Sequence, residues 1–385
     1  MANTIKLGTN GNWATKEGSL LAYNDENNNF KPLPFTTTRA SSATVVNKQG
    51  LIETVGSGIP RIDFKDDANG ALLLEPQRTN SFLQSNQFDT TWGKSAQITL
   101  TSGQPDPFGG TDAFLVNLGA SVGNAISQNV SLLSGVEYTM SAYIKGVDLT
   151  SLRMIVAGNS SALVTSQIVN GTWVRVVITR VAASTGFLTN QIVRSNNALS
   201  ESFYIYGAQL EQGSYATSYI PTQGTTQTRV ADTASDAGNS TVINSTEGVL
   251  YAEIASFNET PINMMLSLSD GTFNNNVFIR YNSALNTIQV AVRIASNYIY
   301  SKSTNSYTIT DFNKIAIKWK ANDFSFYFNG TQINSQLSGS SFSNSILSNV
   351  SFDDGGGIAD FYGKTKDLRV YTTALSNAEL QALTQ

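Results

Sequence analysis

The 385 residues contain no cysteine and no histidine. Without cysteine there are no disulfides, no thiol nucleophile and none of the usual structural zinc sites. Without histidine the commonest general base and the commonest transition-metal ligand are missing, so Ser-His-Asp hydrolysis is excluded. Charge is scarce as well: 14% of the residues are Asp, Glu, Lys or Arg, against about a quarter in an average globular protein. A formal net charge of -4 with no basic block leaves no footprint for a phosphate backbone, so no nucleic-acid partner is expected. Long hydrophobic runs are missing too. Ala71–Leu74 and Gly248–Ile254 fall far short of a bilayer span, and the first residues carry no apolar leader, so the expected setting is a cytoplasm, not a membrane.

What remains is a β-protein palette. Hydrophobic residues make up 41%, and the polar remainder is dominated by Ser, Thr, Asn and Gln, which suit short strands and tight turns. The length exceeds what one core usually serves. The expected fold is all-β: tandem antiparallel β-sandwiches of jelly-roll type, with a small N-terminal module and one short C-terminal helix. The expected units are 1–80 as the N-terminal module, 81–222 as a first sandwich, 223–245 as a polar linker and 246–385 as a second sandwich.

Residues 1–80 carry the ordered string Arg39-Ala-Ser-Ser-Ala-Thr44, Gly50-Leu-Ile-Glu53, Pro60-Arg61-Ile-Asp63-Phe64 and Leu72-Leu-Leu-Glu75-Pro-Gln-Arg78-Thr-Asn80. This string resembles a module of tail, fibre and head-decoration proteins of tailed bacteriophages, including crAss-like phages. Arg39, Arg61, Asp63, Glu75 and Arg78 are expected to fasten the module through Arg-carboxylate pairs. No catalytic role is assigned to them.

In 81–222, short alternating segments such as Glu137–Lys145 and Gly171-Thr-Trp173-Val-Arg175-Val are strands of an antiparallel sandwich. The order closes with Tyr206-Gly-Ala-Gln-Leu-Glu211 and Tyr215-Ala-Thr-Ser-Tyr219-Ile-Pro221 and resembles the jelly-roll carbohydrate-binding modules embedded in phage tail proteins. Glycan modules stack sugar rings on Trp or Tyr faces, which makes Trp92, Tyr215 and Tyr219 the glycan-binding candidates. Trp173 alternates with core valines and reads as a packed side chain.

From 246 onward, Ile315, Ile317 and Trp319 alternate with Lys314, Ala316, Lys318 and Lys320 at the period of a strand. Asn329-Gly330 marks a hairpin, and Ser376 with Glu379 a capping box for the terminal helix. The closing strand and the segment Ser376–Leu380 resemble the concanavalin A-like or laminin-G jelly roll. Relatives of that fold often bind glycans, sometimes through calcium, for which Asp270, Asp353 and Asp354 are the candidate ligands; no other cofactor is expected. No paired-carboxylate triplet or phosphate loop occurs, so the chain is read as a binding protein, not an enzyme. Together the resemblances imply a virion surface protein: a head fibre or capsid decoration subunit, alternatively a tail-fibre adhesin or a connector without ligand. Implied partners are capsid or tail subunits, copies of the chain in a homo-oligomer, by resemblance a trimer, and surface glycans.

Overall fold

The structure is a computed structural model that describes residues 5–16, 19–24, 31–194, 201–257, 263–282, 287–305 and 307–385. It is almost entirely antiparallel sheet, with one α-helix, Asn377–Thr384, among the described residues. No helix among them is long and apolar enough to cross a membrane.

The middle of the chain closes on itself. One five-stranded sheet is formed by 93–94, 125–132, 186–194, 152–155 and 162–163, in that spatial order. It faces a second formed by 99–104, 113–117, 202–212, 137–146 and 174–181. Glu137–Gly146 pairs on both edges, with Val174–Val181 and with Ser202–Gln212, so it sits inside its sheet. Its Met140, Ala142 and Ile144 are fully buried and point into a core that includes Phe82, Phe88, Phe114, Leu152 and Phe203. The period-2 alternation of the strand accounts for that placement.

The other sandwich is assembled from both ends of the chain. Glu247–Ser256 pairs with Asn313–Lys320 on one side and with Gly363–Tyr371 on the other. Gly363–Tyr371 in turn receives Ile5–Leu7 and Ala71–Leu74. The facing sheet runs 297–304, 287–294, 276–282, 264–269 and 349–351. Ile315, Ile317 and Trp319 lie fully buried between the sheets, and the Trp319 indole donates to the Ser245 carbonyl at 3.0 Å. On the opposite face of the same strand Ala316 and Lys318 are also buried, because the terminal helix places Leu380 over Ala316, Tyr251 and Tyr327. Ser376 and Glu379 cap that helix reciprocally: the Ser376 amide donates to Glu379 at 2.8 Å and the Glu379 amide to Ser376 Oγ at 3.4 Å. Asn329 and Gly330, with φ of 45° and 79°, make the two-residue turn joining Phe324–Phe328 to Thr331–Gln336. Both residues in the left-handed region are what a type I′ hairpin requires.

Two expectations about organisation need correction. The stretch 223–245 is not a free linker: Gln227–Arg229 pairs with Arg78–Asn80 and Thr233–Ser235 pairs with Thr36–Thr38. Its polar composition hid Arg229 and Asp232, both buried in ion pairs. Residues 1–80 are not a separate module either, since Ile5, Leu7, Phe35, Leu72 and Leu74 belong to the core of the C-terminal sandwich.

Candidate functional site

The three stretches meet around a buried network of charges. Arg61 Nη1 donates to Glu75 Oε2 at 2.7 Å and to the Thr44 carbonyl at 3.0 Å, while its Nη2 pairs with Asp232. Arg39 reaches the other Asp232 oxygen at 2.7 Å, and Arg229 reaches Glu75 at 3.0 Å. Ser218 adds its amide and hydroxyl to the Glu75 carboxylate at 2.7 and 2.6 Å. Burial alone would raise the Glu75 carboxyl, but Arg229, Arg61 and the Ser218 hydrogen bonds hold it well below the usual carboxylate range. Arg39, Arg61 and Glu75 thus lie in one structural cluster, joined there by Arg229 and Asp232.

The remaining two residues singled out in the first eighty lie outside that cluster. Asp63 accepts from the Val46 amide at 3.0 Å and from Lys364 Nζ at 2.6 Å, tying the N-terminal part to the last strand. Arg78 packs its guanidinium 5.3 Å from the Tyr215 ring centroid.

Beside the network lies a cavity of about 130 Å³ with walls from all three stretches, including Thr44, Lys65, Tyr143, Arg175, Ser218, Phe257 and Lys364. A second hollow of about 290 Å³ shares Asp66, Phe257 and Lys364 with it and continues to Thr310, Asp311 and Phe312. The two adjoin along the seam between the sandwiches, and that pair of hollows is the seam cleft.

The aromatic candidates from the sequence do not form a sugar platform. Trp92 is 5% exposed, packs on Phe82 and Phe88 at 5.0 and 5.2 Å, and donates its indole N–H to the Gln84 carbonyl. Tyr219 is 1% exposed, its hydroxyl bonded to Ser85 and Asn86 and its ring against Phe108, Tyr143 and Tyr206. Both are core residues whose faces are taken by neighbours, which corrects the glycan-stacking expectation. Tyr215 is half-buried and stacked on Phe257 at 5.6 Å, at the edge of the cleft. Trp173 is half-buried against Tyr204 and Lys145.

The calcium candidates serve their own turns. Asp270 accepts from the Thr272 amide and hydroxyl and from Asn275. Asp353 accepts from the Gly355 amide, and Asp354 from the Gly356 and Ile358 amides. Among the described residues no three acidic side chains are arranged to hold a metal ion. Asx-type capping of a turn engages each carboxylate.

A polar hollow of about 340 Å³ on the outer face of the C-terminal sheet holds Asp67, Glu253 and Asp367. Asp67 pairs with Lys366 at 2.8 Å and Asp367 with Arg369, while Glu253 has no ion pair among the described residues; its carboxyl is raised by burial against the opposing pull of Lys314 and Lys366.

Sequence reasoning missed the cleft. Lys65, Tyr143, Arg175, Phe257 and Lys364 come from five distant segments, and no motif links them. The one usable signal was local: Arg175 alternates with buried Val176, so its side chain leaves the core.

Residues 251–381 match the family model of the concanavalin A-like lectin/glucanases superfamily. The C-terminal sandwich therefore carries the concanavalin A-like jelly-roll fold. Among solved structures, the chain is similar to the CBM40 module of the Ruminococcus gnavus IT-sialidase bound to α2,3-sialyllactose. The identity is 18% over 39% of this chain and 94% of that one, with a TM-score of 0.33. Domain 4 of a GH43 extracellular arabinanase from Geobacillus stearothermophilus, in complex with arabinotriose, gives 13% identity, 45% and 82% coverage and a TM-score of 0.31. The CBM22 tandem of Paenibacillus barcinonensis Xyn10C gives 11%, 77% and 97%, and 0.28. No curated protein matches the chain.

Proposed function

We propose that this chain is a glycan-binding surface subunit of a tailed-phage virion, a head fibre or capsid decoration protein rather than an enzyme. The observation that carries the glycan part is the concanavalin A-like lectin fold of 251–381 joined to a cleft that it shares with the other parts of the chain. A lectin-fold domain presenting a polar, aromatic-edged hollow suits reversible adhesion to saccharides. The ordered N-terminal string Arg39–Asn80 supports the virion part through its resemblance to phage structural modules. In this reading the partners are capsid subunits and further copies of the chain in a trimer, which multiplies weak glycan contacts through avidity.

Two measurements test the proposal. Electron cryo-microscopy of particles carrying this chain is expected to place it on the capsomers; density confined to the tail overturns the head assignment. A glycan array probed with the purified full chain is expected to give saturable signals that free saccharide displaces, and a blank array removes the adhesion role.

A further inference from the structure

We infer that the seam cleft is an acidic-saccharide site in which Lys65 and Arg175 receive a sugar carboxylate. This rests on the glycan-binding reading above and narrows it to a ligand class and a place. Of the cations around the cavity, Lys364 is paired with Asp63 and Asp66, Arg61 with Glu75 and Asp232, and Arg229 with Glu75. Lys65 and Arg175 also line the cavity, and neither forms an ion pair among the described residues. Arg175 spends Nη1 on the Thr217 carbonyl and Nη2 on Ser141 Oγ, while its Nε is buried with no acceptor. The Tyr143 ring lies 5.4 Å from the Arg175 guanidinium, and the Tyr143 hydroxyl, at the same cavity, has no hydrogen bond among the described residues.

Arg175 is half-buried, where a cation is normally matched by a carboxylate, while Lys65 is exposed at the rim. Here the protein supplies two positive charges and two unused donors, while the lining carboxylates Glu75, Asp63 and Asp66 pair with Arg61, Arg229 and Lys364. Lys65 and Arg175 also feel each other. Desolvation beside the cavity, and next the charge of Arg175, lower the affinity of Lys65 for its proton, with Asp66 and Asp63 opposing. An arriving carboxylate relieves that repulsion and gains charge-assisted hydrogen bonds. The chain as a whole is acidic, with a formal charge of -4, and the lining balances Lys65, Arg175 and Lys364 against Asp63, Asp66 and Glu75, so attraction for an anion must come from the two cations that these carboxylates do not pair.

The shape argues for a saccharide over a free ion. The cavity adjoins the neighbouring hollow, with Asp66, Phe257 and Lys364 lining both and Phe312 lining the second. Asp66, Thr310 and Asp311 along it are acceptors and donors for hydroxyls. A charged ring seated at Lys65 and Arg175 leaves room for the next ring against Phe257, so a uronate-containing oligosaccharide fits the sequence of groups.

Isothermal titration of the full chain with trigalacturonate, galactotriose and sodium acetate tests the site. Trigalacturonate is expected to bind, galactotriose at least about tenfold more weakly, and acetate to compete only at far higher concentration. Lys65→Met is expected to weaken trigalacturonate by about tenfold, the scale of one charge-assisted hydrogen bond, while Lys65→Arg retains it and leaves galactotriose unchanged. Arg175→Met serves as a second variant, with thermal unfolding recorded because it also loses the bonds to Thr217 and Ser141. Equal binding of both trisaccharides overturns the acidic preference while leaving the glycan reading in place. Trigalacturonate binding that neither variant changes places the site elsewhere and also overturns the inference. Acetate competing as well as the trisaccharide overturns the saccharide part. If trigalacturonate fails to bind the inference falls, and a blank glycan array in addition removes the broader reading.

Discussion

The two sandwiches solve the same packing problem with different chain economies. The middle one draws its whole core from Phe82 to Leu210, so every strand pairs with a neighbour from the same stretch. The C-terminal one takes Ile5, Leu7, Phe35, Leu72, Leu74, Ala234, Ala237 and Ile243 into its core from outside the last 140 residues, in round numbers. Its closing strand, Gly363–Tyr371, would be a sheet edge without Ile5–Leu7 and Ala71–Leu74 beside it. An unpaired edge presents a row of free donors and acceptors. Covering that edge with the N-terminal segment locks the first and last parts of the chain together, and the cleft forms along that lock. A contiguous sandwich can fold without its neighbours, whereas a composite one places its site where distant segments converge.

The sharpest way to break this comparison is to separate the regions. A fragment of 81–222 is expected to unfold cooperatively as a soluble unit, whereas a fragment of 246–385 is expected to be insoluble or to lack a cooperative transition by circular dichroism. Independent folding of the second fragment would show that the borrowed strands are dispensable. Within the contiguous core, Trp92→Ala should destabilise the middle sandwich by about 3–5 kcal/mol, as a buried aromatic replaced by a cavity does. Chemical denaturation checks the value, and a change near zero would return Trp92 to the surface.

At the seam, Glu75→Gln leaves buried arginines short of a counter-charge and should cost about 3–5 kcal/mol at neutral pH. The pH dependence follows from the sign of the shift. The folded Glu75 carboxyl is held below its unfolded value by Arg229 and Arg61, after their attraction outweighs the cost of burial. Its contribution is therefore present above the ordinary glutamate range, at about pH 4.3, and is lost as pH falls toward the folded value. The stability gap between the native chain and Glu75→Gln should hold from pH 8 to 5 and narrow below about pH 4.

The smallest effect has the opposite sign. Burial, opposed by the Gly355 amide and reinforced by Asp354, Asp360 and Asp236, pushes the Asp353 carboxyl up to about 6. A carboxyl raised in the folded state favours folding while protonated, so that stability is lost as pH rises from about 4 through 6. Asp353→Asn, which can keep the bond to Gly355, should raise the unfolding temperature at pH 7.5 by the equivalent of about 1 kcal/mol, allowing for solvent screening. The gain should vanish near pH 4.

Legibility followed the same division. The strands of the middle sandwich and the Ile315–Ile317–Trp319 face showed as period-2 patterns, and Asn329-Gly330 and Ser376 with Glu379 showed as local turn and cap chemistry. In each case the physics acts within a few residues, through backbone conformation or alternation of side chains. The cleft was not legible, and of the ion-pair network Arg39, Arg61 and Glu75 were, without the Arg229 and Asp232 that join them. Arg61 meets Asp232 across 171 positions and Lys364 meets Asp63 across 301, and no local pattern marks which charge will find which.

By itself the sequence determined the chemistry available and the class of fold: no thiol or imidazole, β-branched and aromatic alternation, and turns rich in Gly and Asn. Tertiary structure decided the rest. It turned Trp92 and Tyr219 inward as core, it drew Arg229 and Asp232 out of a polar stretch into buried pairs, and it left Lys65 and Arg175 beside a hollow with no ion pair among the described residues. The physical reason is that burial and charge pairing depend on which segments share a volume, and that is settled only when both ends of the chain close on one sheet.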